Sequence, residues 1–272
     1  MDQLDGKAGR FLALHHDEHP LLQPNAWDAG SARMLQTLGF KAIATTSSGF
    51  AATLGRTDGN VTRDEVLDHC RAVSAAVDIP VAADTENGFA DDPDGVADMV
   101  RLATQTGLAG CSIEDYARDE GTIYAADLAT ERIRAAVEAA HDGPDQLVIT
   151  ARAENLIHGV DDLGDTIRRL QAFQEAGADV LFAPGLKSLD QVRAVLAEVD
   201  RPVNVLTRPG LPPVAELAEA GVARISVGGT FAFVAYAALI DAATELRESG
   251  TYGYWETLPA ARQTIAAAFT QD

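Results

Sequence analysis

In the run Val81-Ala82-Ala83-Asp84-Thr85-Glu86-Asn87-Gly88, two carboxylates stand two residues apart where an apolar stretch ends. No Lys or Arg lies beside them in the chain. A carboxylate in an apolar setting keeps its charge only if a cation or hydrogen-bond donors hold it. Residues two apart on an extended chain face the same way, so Asp84 and Glu86 are expected to aim together. More acids follow other apolar runs: Asp58 in "GRTDGN", Glu114 and Asp115 in "SIEDY", and Glu154 beside Arg152 in "TARAEN". Several acids around a single arginine lack positive charge. An all-oxygen donor set suits a hard divalent cation. Mg²⁺ keeps several waters, so one acid can bind it directly while others hold its waters. Mn²⁺ is the alternative ion. One acid at a strand end is ordinarily a loop residue or a helix cap. Asp91, Asp92 and Asp94 are read that way, and the metal reading rests on the set Asp58, Asp84, Glu86 and Glu114.

Two further groups bear on an anionic ligand. "TTSSGF" is either a plain Ser/Gly turn or a cradle at Ser48, Gly49 and Phe50, where backbone N–H groups and hydroxyls reach a carboxylate or phosphonate. Arg152 either forms an ion pair with Glu154 or Glu114, or clamps a substrate carboxylate with two parallel bonds. Asn204 follows as a polar residue within a later apolar run.

The positioning elements follow from a rhythm of short apolar runs and Ala-rich amphipathic stretches. The expected strands are 21–25, 41–46, 79–84, 108–114, 146–152, 178–184, 201–206 and 223–227. Helical stretches lie between them, several ending in a glycine (Gly39, Gly107, Gly177, Gly221), as helix C-termini do. Alternating βα units imply a parallel sheet, and strands that are apolar throughout imply a sheet covered on both faces. Eight units favour an α/β fold with a single (β/α)₈ barrel over residues 1–272, with 229–272 as a C-terminal helical extension. An open Rossmann-type sheet is the alternative, but no G-x-G-x-x-G follows the first strand. In a barrel, the C-terminal strand ends form the active-site face, and the acids above stand there.

The chain has 272 residues, 47% of them hydrophobic, and a net charge of −20. Such a surface repels nucleic acid and anionic membranes. The stretch "FAFVAYAALI" (231–240) is too short to span a bilayer. The N-terminus shows no signal-peptide pattern. Two cysteines, Cys70 and Cys111, do not make a disulfide framework, and a reducing cytoplasm is the expected compartment. Cys111, inside a strand, is expected to be core.

The motifs "PNAWDAGSARMLQTLGFKAIATTSSG", "DTENGF", "SIED", "ITARAEN" and "GVARISVGG" occur in that order along nearly the whole chain. With them the chain resembles the isocitrate lyase/phosphoenolpyruvate mutase superfamily. The resemblance implies a barrel binding Mg²⁺ and a small 2-oxo or 2-hydroxy acid. Asp84 falls where the family has its direct metal ligand, and Asp58, Glu86 and Glu114 where acids hold metal-bound water. Ser48, Gly49 and Phe50 fall on the segment gripping the substrate carboxylate, and Arg152 on the substrate-binding arginine. The resemblance also implies a homodimer or homotetramer with an exchanged C-terminal helix.

The departures bear on the reaction. Where the family's lyases carry K-K-C-G-H, residues 115–127 read "DYARDEGTIYAAD", without Cys, Lys or His. The Lys and Asn of the phosphonomutase loop are also missing, and Ala183-Pro184-Gly185 stands where those enzymes have a His. Decarboxylation of a 3-carboxy-2-oxo acid needs no enzymic base to begin, whereas a retro-aldol step does. Glu114 and Tyr116, with Arg152, are the catalytic candidates, and Glu120 and Tyr124 are further candidate bases. The expected activity is Mg²⁺-dependent C–C cleavage of a small carboxylate through an enolate. The alternatives are P–C bond chemistry on a phosphonate, and 2-oxo acid binding without catalysis.

Overall fold

The computed structural model describes Leu4 and residues 6–270. Helix α1 (Gly6–Ala13) and a 3-10 turn (Leu14–His16) lead into β1 (Leu21–Gln23) and β2 (Asn25–Ala26). Next come α2 (Ala29–Thr37), β3 (Ile43–Thr45), α3 (Ser47–Thr53), α4 (Arg63–Ala76), β4 (Val81–Asp84) and α5 (Pro93–Thr104). β5 (Gly110–Glu114) is followed by a small hairpin, β6 (Tyr116–Ala117) and β7 (Thr122–Ile123), then α6 (Ala126–His141) and β8 (Val148–Arg152). The chain continues through α7 (Leu163–Glu175), β9 (Val180–Phe182), α8 (Leu189–Leu196), β10 (Val203–Leu206), α9 (Val214–Glu219) and β11 (Arg224–Ser226). It ends with α10 (Thr230–Ser249), a 3-10 turn (Gly253–Glu256) and α11 (Leu258–Phe269).

The large sheet runs β1-β11-β10-β9-β8-β5-β4-β3-β2, and its neighbours pair in parallel. Its two ends, β1 and β2, are consecutive in the chain with only Pro24 between them, so the sheet closes into a barrel. Proline has no N–H for the ladder. It splits the run expected at 21–25 into two short strands, one pairing with β11 and the other with β3. Each of the eight expected runs holds a strand, and most of the strands are shorter than the runs that contain them. The hairpin β6–β7 and helix α3 are elements the sequence reading left as loop or turn.

Side-chain alternation divides the core. Val81 and Ala83 pack outward beneath the helices, while Ala82 between them joins Phe11, Leu21, Val148 and Val180 inside the barrel. Helix α1 closes the barrel floor, with Phe11 fully buried. The strand-to-helix turns end in capping side chains. Asp28, Thr46, Thr62, Asp92, Asp162 and Ser188 each accept a backbone N–H at a helix start, worth about 1 kcal/mol apiece. Asp92 is thus the cap its sequence position suggested.

The extension expected over 229–272 forms α10 and α11, with Gln271 and Asp272 outside the described residues. α11 lies against α2 of the same chain. α10 buries only Ala232 and exposes Phe233, Val234, Leu239 and Ile240. No helix among the described residues is long and apolar enough to cross a membrane.

Candidate active site

Asp84, the last residue of β4, sits where three elements meet. Its Oδ2 accepts from the backbone N–H and hydroxyl of Ser47, at 3.2 and 2.9 Å. Its Oδ1 accepts from Arg152 Nη1 at 2.8 Å. Burial pushes this carboxyl up, but Arg152 and Ser47 outweigh burial and hold it below the usual carboxylate range. Arg152, at the end of β8, also contacts Glu114 Oε2 at 3.1 Å and Glu154 Oε1 at 2.8 Å. Of its two expected roles, the ion pair is the one formed here, and with three acids at once. Two of its five N–H groups are left for a ligand.

Glu86 departs from expectation. The strand stops at Asp84, and Glu86 takes a left-handed backbone with φ 51°, followed by Gly88 and Phe89 at 78° and 54°. The period-2 reading of Asp84 and Glu86 as one extended face therefore fails. A tight turn sends the second carboxylate sideways instead. Non-glycine residues in this region cost on the order of 1 kcal/mol or more and mark sites where geometry is imposed. The turn is anchored by Glu114 N–H donating to the Glu86 carbonyl at 2.9 Å.

The partner of Glu86 is Arg118, a residue the sequence reading missed. Arg118 Nε lies 3.0 Å from Glu86 Oε2, and Nη2 lies 3.3 Å from Glu114 Oε1. The hairpin β6–β7 folds the expected loop back over the site and delivers this guanidinium. It passes across Gly59, where a Cβ would come within 2.2 Å of Arg118 Nη1. The available signal was the i, i+4 spacing from Glu114.

Asp58 is exposed, with Gly59 N–H donating to its Oδ1 at 3.1 Å. Its field reaches Glu86 and Arg118. The segment 48–50 does not form the expected open cradle. It is the first turn of α3, capped by Thr46, so the Gly49 and Phe50 N–H groups already donate to Thr46 Oγ1 and its carbonyl. Ser48 Oγ lies 3.2 Å from Thr46 Oγ1, and Phe50 stacks on His69 with ring centres 4.0 Å apart. The donor facing Asp84 is Ser47. Tyr116 stacks on His158, with centres 3.5 Å apart, at the rim of the barrel. Tyr124 donates to Asp91 and accepts from Asn87, and burial leads the causes that push its phenol up to about 12. That makes it a poor base. Cys111 is buried, and its thiol is pushed up to about 12 by burial, as befits core. Asn204 is buried in the barrel wall, bonded to Ser226 and Arg224.

Asp84, Arg152 and Asn204 line one cavity of about 110 Å³ in the barrel mouth. Glu86 faces an adjoining groove beside Gly59 and Arg118.

Among the described residues, no three Asp, Glu, His or Cys side chains converge as a ready metal cage. Mg²⁺ does not need one, since it takes one or two carboxylates and keeps its waters. Two observations fit such an ion. Glu86 Oε1 is buried without a hydrogen-bond partner among the described residues. Four carboxyl groups (Asp84, Glu86, Glu114, Glu154) also crowd against only two guanidiniums (Arg118, Arg152), a shortage of positive charge that a cation would relieve. Burial, with the neighbouring acids, pushes Glu114 up to about 8 and Glu86 up to about 7.

Residues 11–247 match the family model for phosphoenolpyruvate phosphomutase. The chain is 33% identical over 260 residues to 2-methylisocitrate lyase of Escherichia coli K12, covering 90% of this chain and 86% of that one. It is 32% identical to oxaloacetate decarboxylase 2 of Pseudomonas fluorescens Pf0-1, covering 86% and 82%. A crystal structure from Burkholderia cenocepacia J2315, provisionally described as a lyase/mutase, superposes with a TM-score of 0.93 at 47% identity over 97% of this chain and 96% of that one. The chain is a member of the isocitrate lyase/phosphoenolpyruvate mutase superfamily of carbon–carbon lyases and mutases.

Proposed function

We propose that the protein is a Mg²⁺-dependent lyase that cleaves a C–C bond of a small 2-oxo or 2-hydroxy carboxylic acid through an enolate. The observation that carries this reading is the gathering of Asp84, Glu86 and Glu114 around the barrel mouth, with Glu86 Oε1 left without a partner among the described residues, beside a small cavity that also presents Asp84 and Arg152. Asp84 would hold the ion directly, with Glu86, Glu114 and Asp58 on its waters. Bound there, Mg²⁺ would polarise the carbonyl of a 2-oxo acid.

The chain's own groups supply the rest. Ser47 and Arg152 fix the Asp84 carboxylate, and the remaining Arg152 N–H groups face the developing enolate charge. Residues 115–127 bring Arg118 but no Cys, Lys or His, which favours decarboxylation, a cleavage that starts without a base. Names borne by relatives, among them a 2-methylisocitrate lyase and an oxaloacetate decarboxylase, support C–C chemistry. The exposed apolar face of α10 is read as the contact of a homodimer or homotetramer.

The test is incubation with Mg²⁺ and a panel of oxaloacetate, 2-methylisocitrate, dimethylmalate and phosphonopyruvate, following product release. Turnover of a carboxylate is expected. Release from the phosphonate alone would replace this reading with P–C chemistry, and tight binding with no turnover would replace it with a ligand-binding role.

A further inference from the structure

Arginines turned inward in this molecule ordinarily meet acids. Arg152 contacts three carboxylates. Arg169 contacts Asp115 and Asp165. Arg132 bonds three backbone carbonyls, with the fields of Asp91, Asp115 and Glu114 upon it. Arg224 differs. It is 4% exposed, on β11 inside the barrel, and each of its side-chain partners among the described residues is neutral. Its Nε donates to Asn204 Oδ1 at 3.0 Å and its Nη2 to Thr150 Oγ1 at 3.2 Å. Its Nη1 lies 3.2 Å from His15 Nε2. Burial pulls this guanidinium down to about 9, and no carboxylate opposes the pull. It is charged at neutral pH all the same.

The groups around Arg224 have donors left over. His15 Nδ1 lies 3.0 Å from the Phe11 carbonyl and so carries the ring proton, which leaves Nε2 to accept from Arg224. Burial, with Arg224 adding to it, keeps the ring neutral down to about pH 3. Asn204 Oδ1 accepts from Arg224, and its Nδ2 donates to Ser226 Oγ at 2.9 Å. The Thr150 and Ser226 hydroxyls each accept a bond in this way, and each still has a proton to give. A guanidinium has five N–H donors, and three are engaged. An uncompensated buried charge is strongly destabilising unless a counter-charge meets it. Water could accept from these donors but would leave the charge unmatched.

The space for a counter-ion exists. Arg224, Thr150 and Ser226 line the cavity of about 110 Å³ that Asp84 and Arg152 also line. Arg224 begins its strand, whereas Asp84 and Arg152 end theirs, so the lone guanidinium lies toward the barrel floor and away from the acids. We propose that Arg224, with the hydroxyls of Thr150 and Ser226, forms a site for one monovalent inorganic anion of the size of chloride. One negative charge matches one guanidinium, and a spherical acceptor takes donors from several directions at once. A divalent anion would leave a negative charge unmatched in the same buried place. The site stands apart from the lyase reading and needs no metal.

The probe is chloride itself. The full chain, held in the sodium salt of 2-morpholinoethanesulfonate, an anion too large for the cavity, is titrated with sodium chloride at constant ionic strength and without Mg²⁺. The thermal midpoint should rise by roughly 2–6 °C and then level off, as filling a single site requires. Bromide should reproduce the rise. Arg224→Gln should abolish it. Thr150→Val, which keeps the shape and removes the hydroxyl, should weaken chloride roughly 3- to 10-fold. A wild-type midpoint that does not respond to chloride, or that climbs in proportion to salt without levelling off, overturns the proposal. So does a folded Arg224→Gln variant that keeps the saturable rise. Crystals of the wild-type protein grown in sodium bromide give a reading that needs no variant. Anomalous density for bromide against Arg224 and Thr150 upholds the site, whereas density confined to the surface means an adventitious ion only and overturns it. Loss of the lyase reading would leave every one of these outcomes unchanged.

Discussion

Arg118 and Glu86 form an ion pair at 3.0 Å across the barrel mouth, joining the hairpin after β5 to the turn after β4. The same guanidinium reaches Glu114, so one side chain relieves repulsion between two buried acids. Arg118→Met should therefore destabilise the metal-free protein by about 1–3 kcal/mol, below the usual figure for breaking a buried pair because Arg118 is 28% exposed. Millimolar Mg²⁺ should recover part of the loss by binding the acids set free. Urea unfolding with and without Mg²⁺ measures both quantities. A variant with the same midpoint as wild type in the absence of metal would show that Arg118 balances no charge.

Asp84 concentrates the donors of Ser47 and Arg152 on one carboxylate. Asp84→Ala should abolish Mg²⁺-dependent binding of oxalate while leaving the fold intact, since the residue ends a strand and faces a cavity, not the packed core. Calorimetric titration with oxalate and Mg²⁺ reads this directly. Unchanged binding in the variant would remove Asp84 from the metal site.

The barrel was legible because its strands are apolar on both faces and its helices carry their own caps. Even the split at Pro24 follows from a residue that cannot donate. The candidate site was legible only where a side chain's place at the barrel mouth follows from chain position, as for Asp84 and Arg152 at strand ends. Glu86 was placed on the right side of the barrel for the wrong reason, because a left-handed turn cannot be seen in alternation. Arg118 was hidden because its role depends on a hairpin folding back across Gly59. Ser47 was passed over for its neighbours because the N-cap at Thr46 sets which residue of "TTSSGF" faces the acid. Arg224 reads in sequence as one more charge in a loop-to-strand junction, and only barrel closure turns it inward.

Gly59 carries φ +80° and has Arg118 lying directly over it. Gly59→Ala adds a methyl group where the guanidinium now runs, and it places an L-residue in the left-handed region. The substitution should cost about 1–2 kcal/mol in stability. It should also weaken Mg²⁺-dependent ligand affinity by moving Arg118 off Glu86. Gly59 has no side chain of its own, so an affinity change in this variant reports on Arg118, which lies over it, or on Asp58, whose Oδ1 accepts the Gly59 N–H. Loss of stability with wild-type affinity would confine the glycine's role to the backbone.

His15 couples the barrel floor to pH. Its unfolded value is about 6.5 and its folded value about 3, lowered by burial and then by Arg224. Between those values the unfolded chain binds a proton that the native state refuses. This contribution to stability is therefore complete above pH 6.5 and falls as the pH drops toward 3. At 1.36 kcal/mol per unit the span is on the order of 5 kcal/mol. Glu114, Glu86 and Asp115 work in the opposite direction. Burial raises their folded values to about 8, 7 and 6, so their contribution is full in acid and lost as the pH rises through those values. The total curve is flattened by this opposition, and the His15 share must be read as a difference. His15→Gln, whose amide can still accept from Arg224, should remove close to one proton of linkage between pH 6.5 and 3. In urea titrations across that range, the stability gap between wild type and variant should narrow toward low pH. Parallel curves for the two proteins would mean that His15 titrates normally and that the floor beneath Arg224 is open to water.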